Sequence, residues 1–306
     1  MKAIEYIAFG KSNVLQLKQV DKPSIKEDEV LIKIKATTVN PLDMKIREGF
    51  MQKMMPVQLP FIPGSDAAGV IEAIGSKVTR LKVGDEVFTT SFGGSYAEYI
   101  AIKEAQVALK PSNVSFNEAA SLAVPFATAY NVLVEVGDLK AGQKILIHGA
   151  AGAVGSVMVQ MAKAMGAYVI GTASGTGVAM AKVFGADEAI DYKTKDFTTL
   201  VKDVDFVADL VGGETQSKSF TVLKKGGKLL SIVMPPSAEL AEKFGVTAQF
   251  VSLPPSHKKL EFGVKLLEQG KIKASIAKTI KLEQAAQAQD LVSAGGVNGK
   301  IILEVN

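Results

Sequence analysis

The sequence predicts an α/β protein in two parts, a small β-barrel and a doubly wound parallel sheet. Three observations predict it. The first third is a run of short alternating segments broken by Gly and Pro. From about Phe116 onward, apolar strands alternate with helical stretches. A turn built of Gly and Ala joins the first of those strands to its helix. The chain has 306 residues, too many for one comfortable core and suited to two domains.

In the first part, residues 29–36 alternate charged and apolar side chains over their second half, the mark of a half-buried strand. Residues 68–75 form a second strand closed by a turn glycine, 83–88 a third with its leading turn, and 96–101 a fourth. In the second part, 144–148 is an apolar strand, and 156–165 is a helix stopped by Gly166. Residues 168–172 are the next strand, and a helix ends over 180–184 before Gly185. Strands at 188–191, 205–209 and 228–233 continue the series. Regular β-α-β alternation means a parallel sheet covered on both faces, and right-handed crossovers make it doubly wound. The tail carries a helix at 260–268 and a closing strand at 301–305, and it is expected to return to the first domain. The expected division is 1–120 plus 255–306 for the barrel and 121–254 for the sheet.

Composition narrows the function. Hydrophobic residues make up 47% and charged residues 22%, which excludes a disordered chain. The net charge of +4 is spread without a basic block, so a nucleic-acid partner is not expected, although mild basicity suits an anionic cofactor. There is no Cys. Disulfides and thiolate chemistry are therefore excluded, and a reducing compartment fits. The first five residues lack an apolar targeting core, and no apolar run is expected to reach membrane-spanning length. A soluble, cytoplasmic protein with no membrane partner is the expectation.

The strongest local signal is the turn at 149–155, Gly-Ala-Ala-Gly-Ala-Val-Gly, between the strand ending at His148 and the helix near Ser156. A dinucleotide loop needs small residues so that the turn is tight, the backbone approaches the pyrophosphate and the helix lies close to the strand. The helix N-terminus then offers free N–H groups to the phosphates. Ala150 stands at the first glycine of the strict G-x-G-x-x-G pattern, and the strand–turn–helix context supplies what the motif alone does not. An NAD site would place a carboxylate at the end of the second strand. Residues 171–175 carry none, and Ser174 is able to donate to a 2′-phosphate instead. Lys182 reads equally as a source of charge for that phosphate or as a solvated helix lysine. Tyr192 reads as a ring against adenosine or as a half-exposed structural tyrosine. NADPH is the expected cofactor.

Several motifs together resemble one family. Residues 40–49, Asn-Pro-Leu-Asp-Met-Lys-Ile-Arg-Glu-Gly, are similar to the N-P-x-D-x-x-x-R-x-G signature of the zinc-independent quinone oxidoreductases among the medium-chain dehydrogenases/reductases. Residues 60–70 resemble their P-F-x-P-G-x-D-x-x-G-x-V segment, and 83–87 their V-G-D-x-V turn. Residues 185–192 and 298–300 complete the pattern, and 209–215 resemble the branch that reduces quinones or reactive enones. The resemblance implies a GroES-like barrel beside a Rossmann domain, with cofactor in the cleft between them, and a homodimer built edge to edge through the nucleotide-binding sheets. It implies that Asn40, Lys45 and Thr128 meet the nicotinamide half, and that Ala151, Gly152, Ala153 and Val154 hold the pyrophosphate. Ser174 and Tyr192 match the adenosine-phosphate end, Ile232, Val233 and Met234 the edge of the nicotinamide pocket, and Phe250 and Val251 a second lining segment that also reads as plain core. Lys300 is counted with the cofactor-binding residues.

Zinc is not expected. Its ligands are Cys, His and carboxylates in a tetrahedral set. This chain has only His148 and His257, and Ser65 stands where zinc-dependent relatives carry a histidine. Without metal, NADPH reduction of a small quinone or enone needs mainly position and exclusion of water. Asn40 is expected to polarise the acceptor oxygen, with the proton coming from water. Asp43 reads as a relay or as an exposed helix cap. The Met-rich segment 50–56 reads as a mobile lid over an apolar substrate or as a packed loop. Reduction of alkenals and enones as the main activity, and an idle NADPH-binding role, stand as alternatives.

Overall fold

The computed structural model describes residues 1–252 and 254–305. The chain forms two compact units, one of Met1–Val124, Pro255–Val264 and Ala274–Asn306, the other of Pro125–Pro254 and Lys265–Lys273. The expected division differs at Lys265–Lys273, which joins the second unit. Buried Gln160 is the reason. Its Nε2 donates to the Lys273 carbonyl at 3.1 Å, and its Oε1 accepts from the Lys273 N–H at 2.8 Å.

The first unit opens with an antiparallel pair, β1 (Lys2–Glu5) and β2 (Gln16–Gln19). Then follow β3 (Glu29–Thr38), α1 (Pro41–Arg47), β4 (Asp66–Ile74), β5 (Glu86–Thr90), β6 (Tyr99–Lys103), β7 (Val107–Leu109) and α2 (Phe116–Tyr130). Strand β3 pairs antiparallel with both β4 and β6. Its second half alternates as expected, with Lys33 exposed and Ile34 and Ala36 buried, while Val30, Leu31 and Ile32 are buried in succession. Helix α2 contains Pro125 and runs on as a π-helical segment, Asn131–Val136. Together, Phe116–Val136 is 21 residues long and apolar enough to cross a membrane, contrary to the expectation that no run reaches that length. Its most apolar window is 67% buried inside the protein, the condition of a core helix.

The second unit holds β8 (Lys144–His148), α3 (Ala153–Ala164), β9 (Tyr168–Ala173), α4 (Thr176–Val183), β10 (Glu188–Asp191), α5 (Phe197–Leu200), β11 (Val204–Asp209), α6 (Gly213–Ser219), β12 (Leu223–Ser231), α7 (Ala238–Phe244) and β13 (Thr247–Phe250). All six strands are parallel, in the order β10-β9-β8-β11-β12-β13. Counted from β8 this is 3-2-1-4-5-6, the doubly wound order whose ligand crevice lies at the carboxyl ends of the strands where the order reverses. The chain then returns through α8 (His257–Glu268) to β14 (Ile276–Lys281), α9 (Ala285–Ser293) and β15 (Lys300–Glu304). Strand β15 pairs antiparallel with β3, as the return of the tail requires.

His148, the last residue of β8, is fully buried. Nδ1 shares a hydrogen bond with Thr172 Oγ1 at 2.9 Å and Nε2 with Ser219 Oγ at 2.8 Å. Burial lowers its pKa to about 4, so it stays neutral and ties β8 to β9 and α6.

Two outcomes are expected. A Cβ at Gly155 would lie 2.0 Å from the Gly149 carbonyl oxygen. Gly155→Ala should therefore cost at least about 2 kcal/mol in urea unfolding, because backbone rather than a flexible side chain must move. His148 has a folded pKa below its unfolded value, so its contribution is present above about pH 6.5 and lost as the pH falls toward about 4. Unfolding of wild type and His148→Asn across that window should show wild type losing about 3 kcal/mol relative to the variant on acidification.

Candidate active site

The turn after β8 lies at the point where strand order reverses. Gly149 takes φ +69°, in the left-handed region, and Gly152 is the N-cap of α3. The helix begins at Ala153, three residues before the expected start. No side chain caps it, and its first turn holds no carboxylate. The Gly152 N–H donates to the Gly149 carbonyl at 3.0 Å and closes the turn, while the N–H groups of the first helical turn, from Ala153, are left for an outside acceptor. The Ala150 N–H donates to the Thr172 carbonyl at 3.0 Å, which pins the turn to the end of β9. Ala151 is buried, while Gly152, Ala153 and Val154 are half-buried. The arrangement fits a diphosphate on backbone donors.

At the end of β9, half-buried Ser174 donates to the Tyr192 hydroxyl at 3.1 Å, which brings together two residues eighteen apart. Tyr192 lines a cavity of about 530 Å³ with His148, Gly149 and Thr172. Lys193, Lys195 and Lys218 line it too, and the sequence reading missed them. Lys182 departs from its expected place. Its ammonium donates to the Asp187 carbonyl, at the C-terminal end of α4. That end lies about 9 Å along the helix from Thr176, six residues at 1.5 Å each. The solvated-lysine alternative is the one that fits.

The carboxyl end of the sheet is shaped by Asp209, which is fully buried. Oδ1 accepts from the N–H groups of Val211 and Gly212 at 3.0 and 2.8 Å. Oδ2 accepts from Gln216 Nε2 and Ser231 Oγ at 2.9 and 2.8 Å. Strand β12 stops at Ser231, so Ile232, Val233 and Met234 leave the sheet as a loop, anchored where Ile232 N–H donates to the Asp209 carbonyl. Phe250 pairs with Ser231, and the Val251 N–H donates to the Ser231 carbonyl at 2.8 Å. Those five residues therefore cluster at one strand end. Val251 is buried, which fits its core alternative, and Phe250 is half-buried. Thr128 is half-buried on α2, three residues after Pro125.

In the first unit, α1 places Asn40 at its N-cap and Asp43 in its first turn. The Asp43 carboxylate accepts from the Asn40 backbone N–H at 2.9 Å and from Ser65 Oγ at 3.2 Å, and the Tyr96 hydroxyl donates to it at 3.3 Å. It caps the helix as one alternative held, but from a buried position rather than an exposed one. Burial first of all pushes its pKa up to about 6, against the lowering effect of the Asn40 N–H and Lys300. Lys45 is exposed on the same helix. Arg47 is buried and structural, donating to the Gly10 carbonyl and to Gln289.

Lys300 departs furthest from expectation. Its ammonium is buried against Thr38 Oγ1 (2.8 Å), Asn40 Oδ1 (2.6 Å) and Asp66 Oδ2 (2.8 Å). All three of its donors are engaged, so none is left for a cofactor. Asp66, fully buried, lies within the family-like segment 60–70, and a carboxylate opening the apolar run 67–71 is the signal that marks it. Among the described residues, no three His, Asp or Glu side chains converge to hold a metal. The segment after α1 is a string of turns, with Phe50 and Met54 exposed at 76% and 62%.

Comparison with known proteins agrees with this geometry. Residues 26–112 match the alcohol dehydrogenase GroES-like domain model, and residues 184–303 match the zinc-binding dehydrogenase model. The chain is 40% identical to a 2-methylene-furan-3-one reductase of Solanum lycopersicum, over 99% of this chain and 79% of the relative. It is 32% identical to a quinone oxidoreductase of Homo sapiens, over 99% and 97%. The Escherichia coli quinone oxidoreductase solved in complex with NADPH superposes with a TM-score of 0.91 at 28% identity, covering all of both chains. The fold is a GroES-like domain plus a Rossmann-like parallel sheet, and the chain belongs to the quinone oxidoreductase family of medium-chain dehydrogenases/reductases.

Proposed function

We propose that the chain is an NADPH-dependent reductase that transfers hydride to quinones or α,β-unsaturated carbonyls without a metal. One observation carries the reading: an uncapped, carboxylate-free helix N-terminus follows a Gly-Ala turn at the strand-order reversal, beside a second strand that ends in Ser174 rather than an acid. The names of the relatives support it, since a 2-methylene-furan-3-one is a conjugated enone and the human relative is a quinone oxidoreductase. Reduced nicotinamide, when bound, supplies the hydride.

The residues divide the work. N–H groups of Ala151, Ala153 and Val154 hold the diphosphate, and Gly152, whose own N–H closes the turn onto the Gly149 carbonyl, lets the backbone approach it. Ser174 and Tyr192 hold the adenosine-phosphate end, and Lys193 and Lys195, lining the Tyr192 cavity, supply the charge that Lys182 does not. Ile232, Val233, Met234, Phe250, Val251 and Thr128 border the nicotinamide, and Lys45 contributes an exposed cation. Asn40 donates to the acceptor oxygen as charge develops there. Asp43, whose pKa burial raises to about 6, serves as a proton relay, with Ser65 donating to it. Phe50 and Met54 close over an apolar acceptor. Strand β13 is an edge of its sheet, which suits pairing with a second copy into a homodimer.

NADPH consumption should be measured with 1,4-benzoquinone and with a short enal, and compared with NADH. Turnover of at least one acceptor with NADPH preferred is expected; activity with NADH alone would overturn the cofactor assignment. Ser174→Asp should weaken NADPH binding at least about 10-fold while sparing NADH, because a carboxylate repels the 2′-phosphate. Asn40→Ala should lower kcat about 100-fold, the scale of losing one oxyanion donor, with NADPH Kd nearly unchanged. Asp43 has a folded pKa above its ordinary 3.8, so its contribution to stability is present below about pH 4 and lost as the pH rises through about 6. Urea unfolding of wild type against Asp43→Asn should show wild type losing about 3 kcal/mol relative to the variant between those limits. A flat difference would mean Asp43 is ordinary.

A further inference from the structure

The side chain of Asn40 sits between a group that only donates and a group that only accepts. Lys300 Nζ donates to Asn40 Oδ1 at 2.6 Å, and Asn40 Nδ2 donates to Asp66 Oδ2 at 2.8 Å. An ammonium has no acceptor and a carboxylate no donor. Turning the amide over would set N–H against ammonium and carbonyl against carboxylate, losing both bonds and adding two repulsions. The network therefore fixes which end of the amide faces which partner. In that orientation the carbonyl is directed inward at Lys300, and one Nδ2 hydrogen remains with no acceptor among the described residues.

The surrounding bonds leave the pair little freedom. Lys300 also donates to Thr38 Oγ1, and the Thr38 hydroxyl donates to Asp66 Oδ2 at 2.5 Å. Asp66 Oδ1 accepts the Val124 N–H at 2.6 Å. Both charges are buried, with Lys300 3% exposed and Asp66 0%. A buried ion pair adds little net stability over apolar residues of equal volume, so stability is a poor reason for its presence. Orientation is a better one. An Asn that presents N–H attracts a carbonyl oxygen gaining charge, and one that presents its carbonyl repels it.

We infer that Asp66 and Lys300 are positioning residues that hold Asn40 as a single-hydrogen donor toward the acceptor oxygen. The inference rests on the proposed role of Asn40 and adds a second, independent requirement to it. The test is Asp66→Asn combined with Lys300→Met, which removes both charges together and leaves no unpaired ion. With benzoquinone, kcat should fall at least about 30-fold while KM and NADPH Kd stay within about 3-fold. Adding Asn40→Ala should then cost less than about 3-fold more, against about 100-fold in wild type, because the pair acts only through Asn40. Wild-type kcat in the pair variant, or an undiminished Asn40→Ala loss, would overturn the inference. Should that variant not fold, side-chain amide NMR of the cofactor-free wild type decides it. One Asn40 Nδ2 proton should exchange at least about 10-fold more slowly than its geminal partner, and equal exchange would sink the lock. Absence of turnover in wild type would instead strike the role of Asn40, leaving the NMR result to decide the orientation.

Discussion

The first unit depends on one buried carboxylate. Asp66 stands at the start of β4 with no exposed surface, and its two oxygens accept four donors. Those donors come from the end of β3, the cap of α1, the body of α2 and the start of β15. A carboxylate in a low-dielectric interior is tolerated only when it is paired and fully hydrogen-bonded. Satisfying it therefore obliges four segments, some more than 200 residues apart in sequence, to arrive at one point. The same requirement makes the region unforgiving, since removing Lys300 alone would leave a bare buried charge.

The second unit uses the same device at another strand end. Asp209 closes β11 and gathers two backbone N–H groups, Gln216 and Ser231. Its effect is to stop β12 at Ser231 and turn Ile232–Met234 away from the sheet. In each unit an aspartate at a strand terminus gathers donors from several segments beside the candidate residues. Regular strands have no such requirement, because their backbone groups are satisfied by neighbours.

The Ser65 hydroxyl donates to Asp43. Buried Asp43 and Tyr96, with half-buried Ser65, then form a hydrogen-bonded group around a carboxylate with raised proton affinity.

Much was legible in the chain alone. Periodicity located β3, β4, β8, β9, β10 and β11, because each is a strand whose neighbours are fixed by local pattern and turn glycines. The Gly-Ala turn announced the phosphate loop, because only small residues permit the approach of helix to strand that Gly155 makes. The absence of Cys and the place of Ser65 removed a zinc set by inventory. What the chain could not disclose was where long side chains end. Lys182 and Lys300 both looked available for an anion. Folding spends Lys182 on a helix-end carbonyl and Lys300 on three partners drawn from β3, its following cap and β4. Nor did the pattern reveal that Val30–Ile32 are buried in succession, that Phe116–Val136 is a core helix of membrane-spanning length, or that Asp43 caps its helix from inside. Each of these depends on contacts between residues distant in sequence, and only the folded chain brings them within reach.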